Sequence, residues 1–308
     1  MRISFIVPMY NEEMNIKRCI ESILSEMQGD DELIVVDNGS SDRSNNICIQ
    51  YARLRLLTLP RNTIGAARNY GSNFAKNELI AFIDADCEIV SGWRNSVIKA
   101  ISNDNIAAVG SRYQIPTSPH IIEKVWYSQK LNKVSKVKYI NSGNFIIKKT
   151  VFVSLGGFNE KLITGEDAEL GWRINKEGYI IVEDPEIICI HHGNPKSIME
   201  FYRKQKWHAV GMLGTFRVSF YDKPFLMTCF FICSLLSATY FLMIRSICFL
   251  IISILLIPSS TAIYRVIQYN KIWYLIHYMI LYTIYYIARS HALIEMVLFD
   301  KKRFSLMA

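Results

Sequence analysis

Short apolar runs and polar stretches of helical period alternate four times between Arg2 and Glu88. Ile3–Val7, Leu33–Val36, Leu54–Leu59 and Leu79–Ile83 are largely apolar, the form of strands buried on both faces. Between the first two, Glu12–Glu26 places Ile16, Cys19, Ile20, Ile23 and Leu24 on one face of an amphipathic helix. After the third, Gly65-Ala66-Ala67-Arg68-Asn69 opens a second helix that runs to Ala75. This alternation predicts an α/β domain with a mainly parallel sheet, whose ligands bind at the C-terminal ends of the strands. Farther on, the pattern predicts a helix from Gly92-Trp93 to Ile101, strands at Ile106–Tyr113 and Ile140–Ile147, and a helix over Ala168–Lys176. A last strand, Ile187–Ile190, ends at His191-His192. Residues 114–138 fit a flexible loop or an exposed helix.

Each of the first four strands ends in polar residues. Met9-Tyr10-Asn11-Glu12-Glu13 follows the first, Asp37-Asn38-Gly39-Ser40-Ser41-Asp42 the second, Arg61-Asn62 the third and Asp84-Ala85-Asp86 the fourth. Two acids one residue apart form either a solvated turn or a pair that holds a divalent cation against phosphate oxygens. Arginines at the same edge suit a diphosphate. Neither G-x-x-x-x-G-K-[ST] nor G-x-G-x-x-G occurs, which excludes a P-loop and a dinucleotide fingerprint. Taken singly, Asp37 reads as a turn or cap residue and Arg61 as a surface residue. Glu166-Asp167 at a helix start suits the helix dipole, and a histidine at a strand end suits a structural role or a metal.

Taken together, VPMYNEE, VDNGSSD, the segment from Arg61 to Ala67-Arg68-Asn69, and Asp84-Ala85-Asp86 resemble the inverting, sugar-nucleotide-dependent glycosyltransferases of family 2, over roughly residues 1–210. The resemblance implies the GT-A fold. It implies that Pro8, Tyr10, Asn11, Glu12, Asp37, Arg61 and Arg68 hold a nucleotide-diphosphate sugar, a UDP-sugar by default and a GDP-sugar as the alternative. Asp84 would contact the ribose and nucleotide, and Asn144, on the INSGNFII strand, the donor sugar. Asp86 would hold Mn²⁺ or Mg²⁺ with His191 or His192; strand alternation turns these histidines to opposite faces, so only one qualifies. Asp167 would be the catalytic base and Glu166 its acceptor-orienting neighbour. Arg173, two turns on, pairs with Glu166 or Asp167 or lies at the surface.

Composition changes the picture for the last third. The chain is 51% apolar, with a mean hydropathy of +0.16. Residues 201–308 carry three acids against twelve bases, leaving 24 acids and 23 bases in residues 1–200, so the net +8 belongs to the C-terminal part. Bases flanking apolar runs indicate an anionic membrane surface rather than nucleic acid. Phe225–Ile244 is uncharged and matches the ~20 residues a membrane span needs. Residues 247–264 form a shorter second span, interrupted at Pro258-Ser259-Ser260, with Arg245-Ser246 as the hairpin. The tyrosine-rich piece 272–288 is an interfacial helix or a third span; the bases after it favour two spans by the positive-inside tendency. Residues 197–224 form an amphipathic interfacial stretch, in which Arg203-Lys204-Gln205-Lys206-Trp207 is similar to the Q-x-x-R-W motif of processive members without matching it. The expected domains are therefore 1–196 (GT-A), 197–224 (interfacial) and 225–308 (membrane).

Seven cysteines without metal-type spacing suit a reducing compartment. The N-terminus lacks a signal-peptide pattern, which leaves the catalytic part on the cytoplasmic side of the cell membrane. The expected activity, by resemblance, is metal-dependent transfer of a sugar to a hydroxyl of a lipid-linked saccharide, in bacterial cell-surface polysaccharide or glycolipid assembly. Two alternatives stand beside it: transfer to a polyprenyl phosphate, and a catalytically silent sugar-nucleotide-binding membrane scaffold. A nucleotidyltransferase would need a Gly-rich, Lys-bearing N-terminal loop that the chain lacks.

Overall fold

The computed structural model describes residues 1–128, 131–214, 223–243 and 246–298. Residues 215–222 of the expected interfacial stretch, Ile244 of the first expected span, Arg245 of the hairpin and the bases Lys301-Lys302-Arg303 lie outside the described residues. The chain divides into two units, Met1–Ser118 with Ser128–Asn194, and Pro119–Tyr127 with Pro195–Ala308.

In the first unit the chain runs through β1 (Ile3–Met9), α1 (Ile16–Glu26), β2 (Glu32–Asp37), α2 (Ser44–Cys48), β3 (Leu54–Thr58), α3 (Ile64–Ser72) and β4 (Leu79–Ile83). It continues with β5 (Cys87–Ile89), α4 (Trp93–Ile101), β6 (Ile106–Gly110), β7 (Ser135–Val137), β8 (Asn144–Lys148), α5 (Lys149–Ser154), α6 (Glu166–Lys176), β9 (Ile180–Glu183) and β10 (Cys189–His191). Eight strands form one sheet in the order β3-β2-β1-β4-β8-β6-β9-β7. The first four are mutually parallel, and β8 runs antiparallel to β4 and β6. Because β8 is reversed, its N-terminal end lies at the same sheet edge as the C-terminal ends of β1 to β4. Residues from two distant stretches therefore meet there.

Strand alternation sorts side chains onto the two faces. Ile3, Phe5, Val7 and Met9 pack with the apolar face of α1 and with Trp93, Val97 and Ile101 of α4. Ile6, Ile34, Ile80 and Phe82 pack on the other face with α3, α5 and α6. Phe82 is central there, with ring centroids 5.0 Å from Phe158, 5.2 Å from Phe152 and 6.4 Å from Phe145. Pro8 sits in β1, but β1–β4 pairing stops at Ile6 opposite Phe82, so its missing N–H interrupts no ladder on that side.

The predicted strand at 106–113 stops at Gly110, and the chain then turns away from the sheet. The predicted strand at 140–147 begins only at Asn144. A two-stranded antiparallel ribbon, β5 with β10, sets His191 opposite Cys87 and Ile190 opposite Glu88. Arg173 joins Glu169 (2.6 Å) and donates to the Leu155 and Gly157 carbonyls at 2.6 and 2.7 Å, closing the C-terminal end of α5.

The second unit holds α7 (Ile198–Gly214), α8 (Lys223–Met243), α9 (Ile247–Tyr269), a 3₁₀ turn (Ile272–Tyr274) and α10 (Leu275–Leu298). It also takes in a π-helical turn, Glu123–Tyr127. Among the described residues, two of its helices are long and apolar enough to cross a membrane, Lys223–Tyr240 and Ile247–Tyr269. They expose Phe230, Leu236, Tyr240, Leu256 and Ile267, an apolar surface a soluble core helix would hide. Contrary to the expected interruption, α9 runs unbroken through Pro258. Hydroxyls of Ser260 and Thr261 in the following turn bond back to the Ile257 carbonyl. Tyr278, Tyr282 and Tyr286 recur every four residues on α10 and are buried with Trp126, Phe201 and Phe231.

Candidate active site

The loops after β1 and β2 are tied to each other by their own polar groups. Asn11 adopts a left-handed backbone (φ 53°), which asparagine tolerates. Its N–H donates to Ser40 Oγ at 3.0 Å, and its Oδ1 accepts from Ser41 N at 2.8 Å. Glu12 N donates to Ser44 Oγ and Glu13 N to Asp42 Oδ2, at 2.8 and 3.0 Å. Asp37 is buried, and both of its oxygens accept local bonds, from Ser40 N (2.9 Å) and Asn45 Nδ2 (2.8 Å). Its observed contacts are those of a turn residue that braces the loop. The Arg61 guanidinium lies over the exposed Tyr10 ring, 3.5 Å from its centroid, a flat cation–aromatic pair.

Arg68 is the bridge of the site. It stands on α3, whose N-cap Thr63 accepts from Ala66 N. At 2% exposure it donates from Nη2 to Asp84 Oδ1 and from Nη1 to Glu166 Oε1, both at 2.7 Å. One guanidinium thus joins the end of β4 to the start of α6, across 98 positions between Arg68 and Glu166. Glu166 also accepts from Ser142 Oγ at 3.1 Å. Asp84 accepts from Tyr113 Oη at 3.3 Å, and Gly143 N donates to that same hydroxyl at 3.1 Å. Tyr113 and Ser142 were not among the residues the sequence singled out, because each owes its place to a turn that ends or precedes a strand.

Glycine makes the close approaches possible. A Cβ on Gly143 would stand 2.1 Å from Asp84 Oδ2, and one on Gly193 would stand 1.8 Å from Asp86 Oδ2.

The β5–β10 ribbon resolves the two histidines. His191 Nε2 lies 3.3 Å from Asp86 Oδ2, whereas His192 Nε2 lies 2.7 Å from Glu88 Oε2. His192 N also donates to the Asp86 carbonyl at 2.9 Å. His191 therefore stands on the Asp86 side, and His192 clasps Glu88 on the ribbon. Asp86 Oδ1 is buried with no hydrogen-bond partner among the described residues. The partnerless Asp86 oxygen and the approach of His191 Nε2 to the other supply carboxylate and imidazole donors at one spot. Asp86 and His191 therefore fit a hard divalent cation. Cys87 also falls within the 4.8 Å group, and burial, with Cys189 beside it, pushes its thiol well above the ordinary range.

Two acids are poised near neutrality. Burial, and then the neighbouring Glu166 charge, push Asp167 up to about 7, although Arg68 and the Ala168 N–H (2.7 Å) pull the other way. Glu12 is also raised to about 7, by burial and then by Asp86, with Asn15 Nδ2 donating to it at 2.9 Å.

The family model for Glycosyl transferase family 2 matches residues 4–155, and that for Glycosyl transferase family group 2 matches residues 131–287, more than half of the chain. The chain belongs to glycosyltransferase family 2. Among relatives of the family 2 chain, glycosyltransferase AglE of Haloferax volcanii is 27% identical over 205 residues, 63% of this chain and 67%, or about two thirds, of AglE. WfgD of Escherichia coli, a UDP-Glc:alpha-D-GlcNAc-diphosphoundecaprenol beta-1,3-glucosyltransferase, is 27% identical over 219 residues, 68% of this chain and 85% of WfgD. In structure, the mannosyltransferase PcManGT of Pyrobaculum calidifontis, solved with GDP-Man and Mn²⁺, superposes with a TM-score of 0.65 at 17% identity, over 97% of this chain and 88% of that one. The fold is GT-A.

Against the site expected of family 2, one residue is displaced. Asn144 is fully buried; its Oδ1 accepts from Trp93 Nε1 (3.0 Å), and its Nδ2 donates to the carbonyls of Ser111 (3.3 Å) and Ile187 (3.0 Å). All its polar contacts hold α4, β6 and the approach to β10 together, which leaves no surface for a sugar. In this structure its side chain has a structural role. The residues brought together at the C-terminal strand edge are Glu12, Arg68, Asp84, Asp86, Glu166, Asp167 and His191, with Tyr10 and Arg61 on the adjoining loops.

Proposed function

We propose that this chain transfers a sugar from a nucleoside-diphosphate sugar to a hydroxyl of a lipid-linked saccharide, with inversion at the anomeric carbon, on the cytoplasmic side of a cell membrane. One observation carries the reading: Arg68 joins Asp84, at the donor motif, to Glu166, beside Asp167 on the helix of the expected base. Two stretches with separate chemical signatures are thereby held in one electrostatic group. The two apolar helices and the name of WfgD support a lipid-linked acceptor.

In this reading Asp167, ionised, takes the proton of the acceptor hydroxyl as that oxygen bonds to the anomeric carbon. The bond from that carbon to the diphosphate breaks on the opposite face, and a nucleoside diphosphate leaves. An affinity near 7 suits a base working at neutral pH. Glu166, fixed by Arg68 and Ser142, orients the helix start. The Arg61–Tyr10 pair presents a flat face to a nucleobase. A divalent cation held by Asp86 and His191 would neutralise charge on the departing diphosphate.

The test is direct. The full chain in detergent is incubated with Mn²⁺, labelled UDP- or GDP-sugars and a polyprenyl-diphosphate-linked sugar. Extension of the lipid-linked sugar with inverted configuration, lost in Asp167→Asn while nucleotide binding persists, is the expected result. Transfer to polyprenyl phosphate that survives Asp167→Asn would move the assignment to that acceptor. Nucleotide binding without turnover for any donor and acceptor pair would leave a silent binding scaffold.

A further inference from the structure

Tyr113 lies just beyond β6 and is held by its chain neighbours on both sides. The guanidinium of Arg112 forks onto Glu183 of β9, Nε to Oε1 and Nη2 to Oε2, both at 3.0 Å. Gln114 pairs with β10 across Ile190: its N–H donates to the Cys189 carbonyl at 2.7 Å, and its carbonyl accepts from His191 N at 3.0 Å. The Tyr113 ring rests on His191, with centroids 4.7 Å apart and the planes inclined by 39°.

The phenol stands between a group that only donates and one that, ionised, only accepts. Gly143 N donates to Oη at 3.1 Å, and Asp84 Oδ2 lies 3.3 Å away, so the hydroxyl proton points at the carboxylate. The Gly143 carbonyl in turn accepts from Asp84 N at 3.2 Å. A Cβ on residue 143 would stand 2.4 Å from Oη, so this approach needs glycine. With Arg68 on Oδ1 at 2.7 Å, both Asp84 oxygens are held. The bonds close into a circuit: Asp84 to Arg68, Arg68 to Glu166, Glu166 to Ser142, along the chain to Gly143, and through Tyr113 back to Asp84. Phenylalanine would fill the same place on His191 and leave the circuit open.

We propose that Tyr113 is a positioning residue for the nucleotide donor: its hydroxyl fixes the plane of the Asp84 carboxylate for the hydroxyls of an incoming nucleoside. A carboxylate offers about four acceptor sites; Arg68 and Tyr113 take one on each oxygen, and the side chain keeps 27% of its surface open for the others. The assignment rests on the donor reading of Asp84 and names the residue that makes that carboxylate rigid. A group already held in its bound orientation loses less freedom on binding, so the hydroxyl acts on donor affinity.

The experiment titrates the full chain in detergent with UDP and with GDP, each with Mn²⁺, by calorimetry. The parent is compared with Tyr113→Phe, Asp84→Ala and the double variant. Tyr113→Phe should raise the nucleotide Kd about tenfold or more, the worth of a hydrogen bond to a charged group. On the Asp84→Ala background the same change should move Kd by less than about threefold, because Tyr113 acts through Asp84. A merely structural hydroxyl would lower the stoichiometry, through a smaller folded fraction, and leave Kd where it was. Gly143→Ala, which drives a methyl between Oη and Oδ2, is the second route if Tyr113→Phe does not fold, and it too should weaken nucleotide binding. A Kd within about threefold of the parent in Tyr113→Phe, or unchanged in Gly143→Ala, overturns the assignment. So does a loss of equal size with and without Asp84. A parent chain that binds neither nucleotide ends the donor reading itself and this assignment with it, whereas nucleotide binding indifferent to Tyr113→Phe ends the assignment alone.

Discussion

Replacing Arg68 by Met keeps the length of the side chain and removes its charge. The guanidinium serves two acids, with side-chain exposures of 3% for Arg68, 7% for Glu166 and 27% for Asp84. Water screens the exposed Asp84 half, so we count only the Glu166 half. Removing one partner of a buried pair costs about 3–5 kcal/mol, and the lower end, about 3 kcal/mol, is the expectation. Glu166 would keep Ser142 as its bonded neighbour. Asp167 would lose the Arg68 charge that holds its pKa down, so its affinity would rise beyond about 7. A carboxylate whose folded-state affinity for protons is raised contributes stability at low pH and loses it as pH rises through the folded value. The deficit of Arg68→Met should therefore be large at about pH 8 and smaller at about pH 6. Native-state hydrogen exchange of the Ile80–Ile83 amides reports the opening of β4. About 3 kcal/mol corresponds to roughly 150-fold lower protection. The double variant Arg68→Met/Glu166→Gln should recover much of the loss, since these two side chains are in contact. Protection within about threefold of the parent at about pH 8, or a deficit that ignores pH, would refute the electrostatic account.

Other outcomes follow from the same geometry. With Asp167 as base at about 7, log kcat/KM should climb with pH and level off above that value. Asp167→Asn should lower the rate by about 10²–10⁴-fold; a parallel pH profile in this variant would remove Asp167 from the role. His191→Gln should weaken Mn²⁺ binding by about 10–100-fold, measured by calorimetry, and His192→Gln by much less; the reverse order would exchange their assignments. Asn144→Leu should destabilise the α/β unit by about 2–3 kcal/mol, because Trp93 Nε1 and two carbonyls lose their partner. A raised KM for the donor with unchanged melting would restore its sugar contact.

What could be read from the chain follows the range of the interactions involved. Leu79–Ile83 is bounded as the sequence predicts, because five apolar residues between a polar start and an aspartate admit one reading. The α1 face Ile16, Cys19, Ile20 and Ile23 was equally plain from its period. The β5–β10 ribbon was not, since three-residue strands pair about a hundred positions apart and carry no local period. That ribbon is what separates His191 from His192. Ile180–Glu183 is also a strand, β9, which the periodicity did not single out. The packing of Asn144 was not legible, because an Asn after a Gly at a strand start looks like a ligand and only tertiary structure brings Trp93 to it. Tyr113 sat inside a run that reads as strand, and its reach to Asp84 depends on where β6 stops.

The two glycines that face the aspartates bear on how this enzyme can diverge. At Gly29, Gly92 and Gly178 an added methyl would meet nothing within 4 Å, and only the left-handed torsion resists change. Asparagine tolerates that torsion, so those positions are free to wander in a lineage. Gly143 and Gly193 are held by occupied space instead, because the methyl of even alanine would fall on a carboxylate. Descendants that keep acids at 84 and 86 are held to glycine at 143 and 193; loss of the acid at 86 releases 193, whereas 143 stays closed as long as the Tyr113 hydroxyl, 2.4 Å from the added carbon, remains.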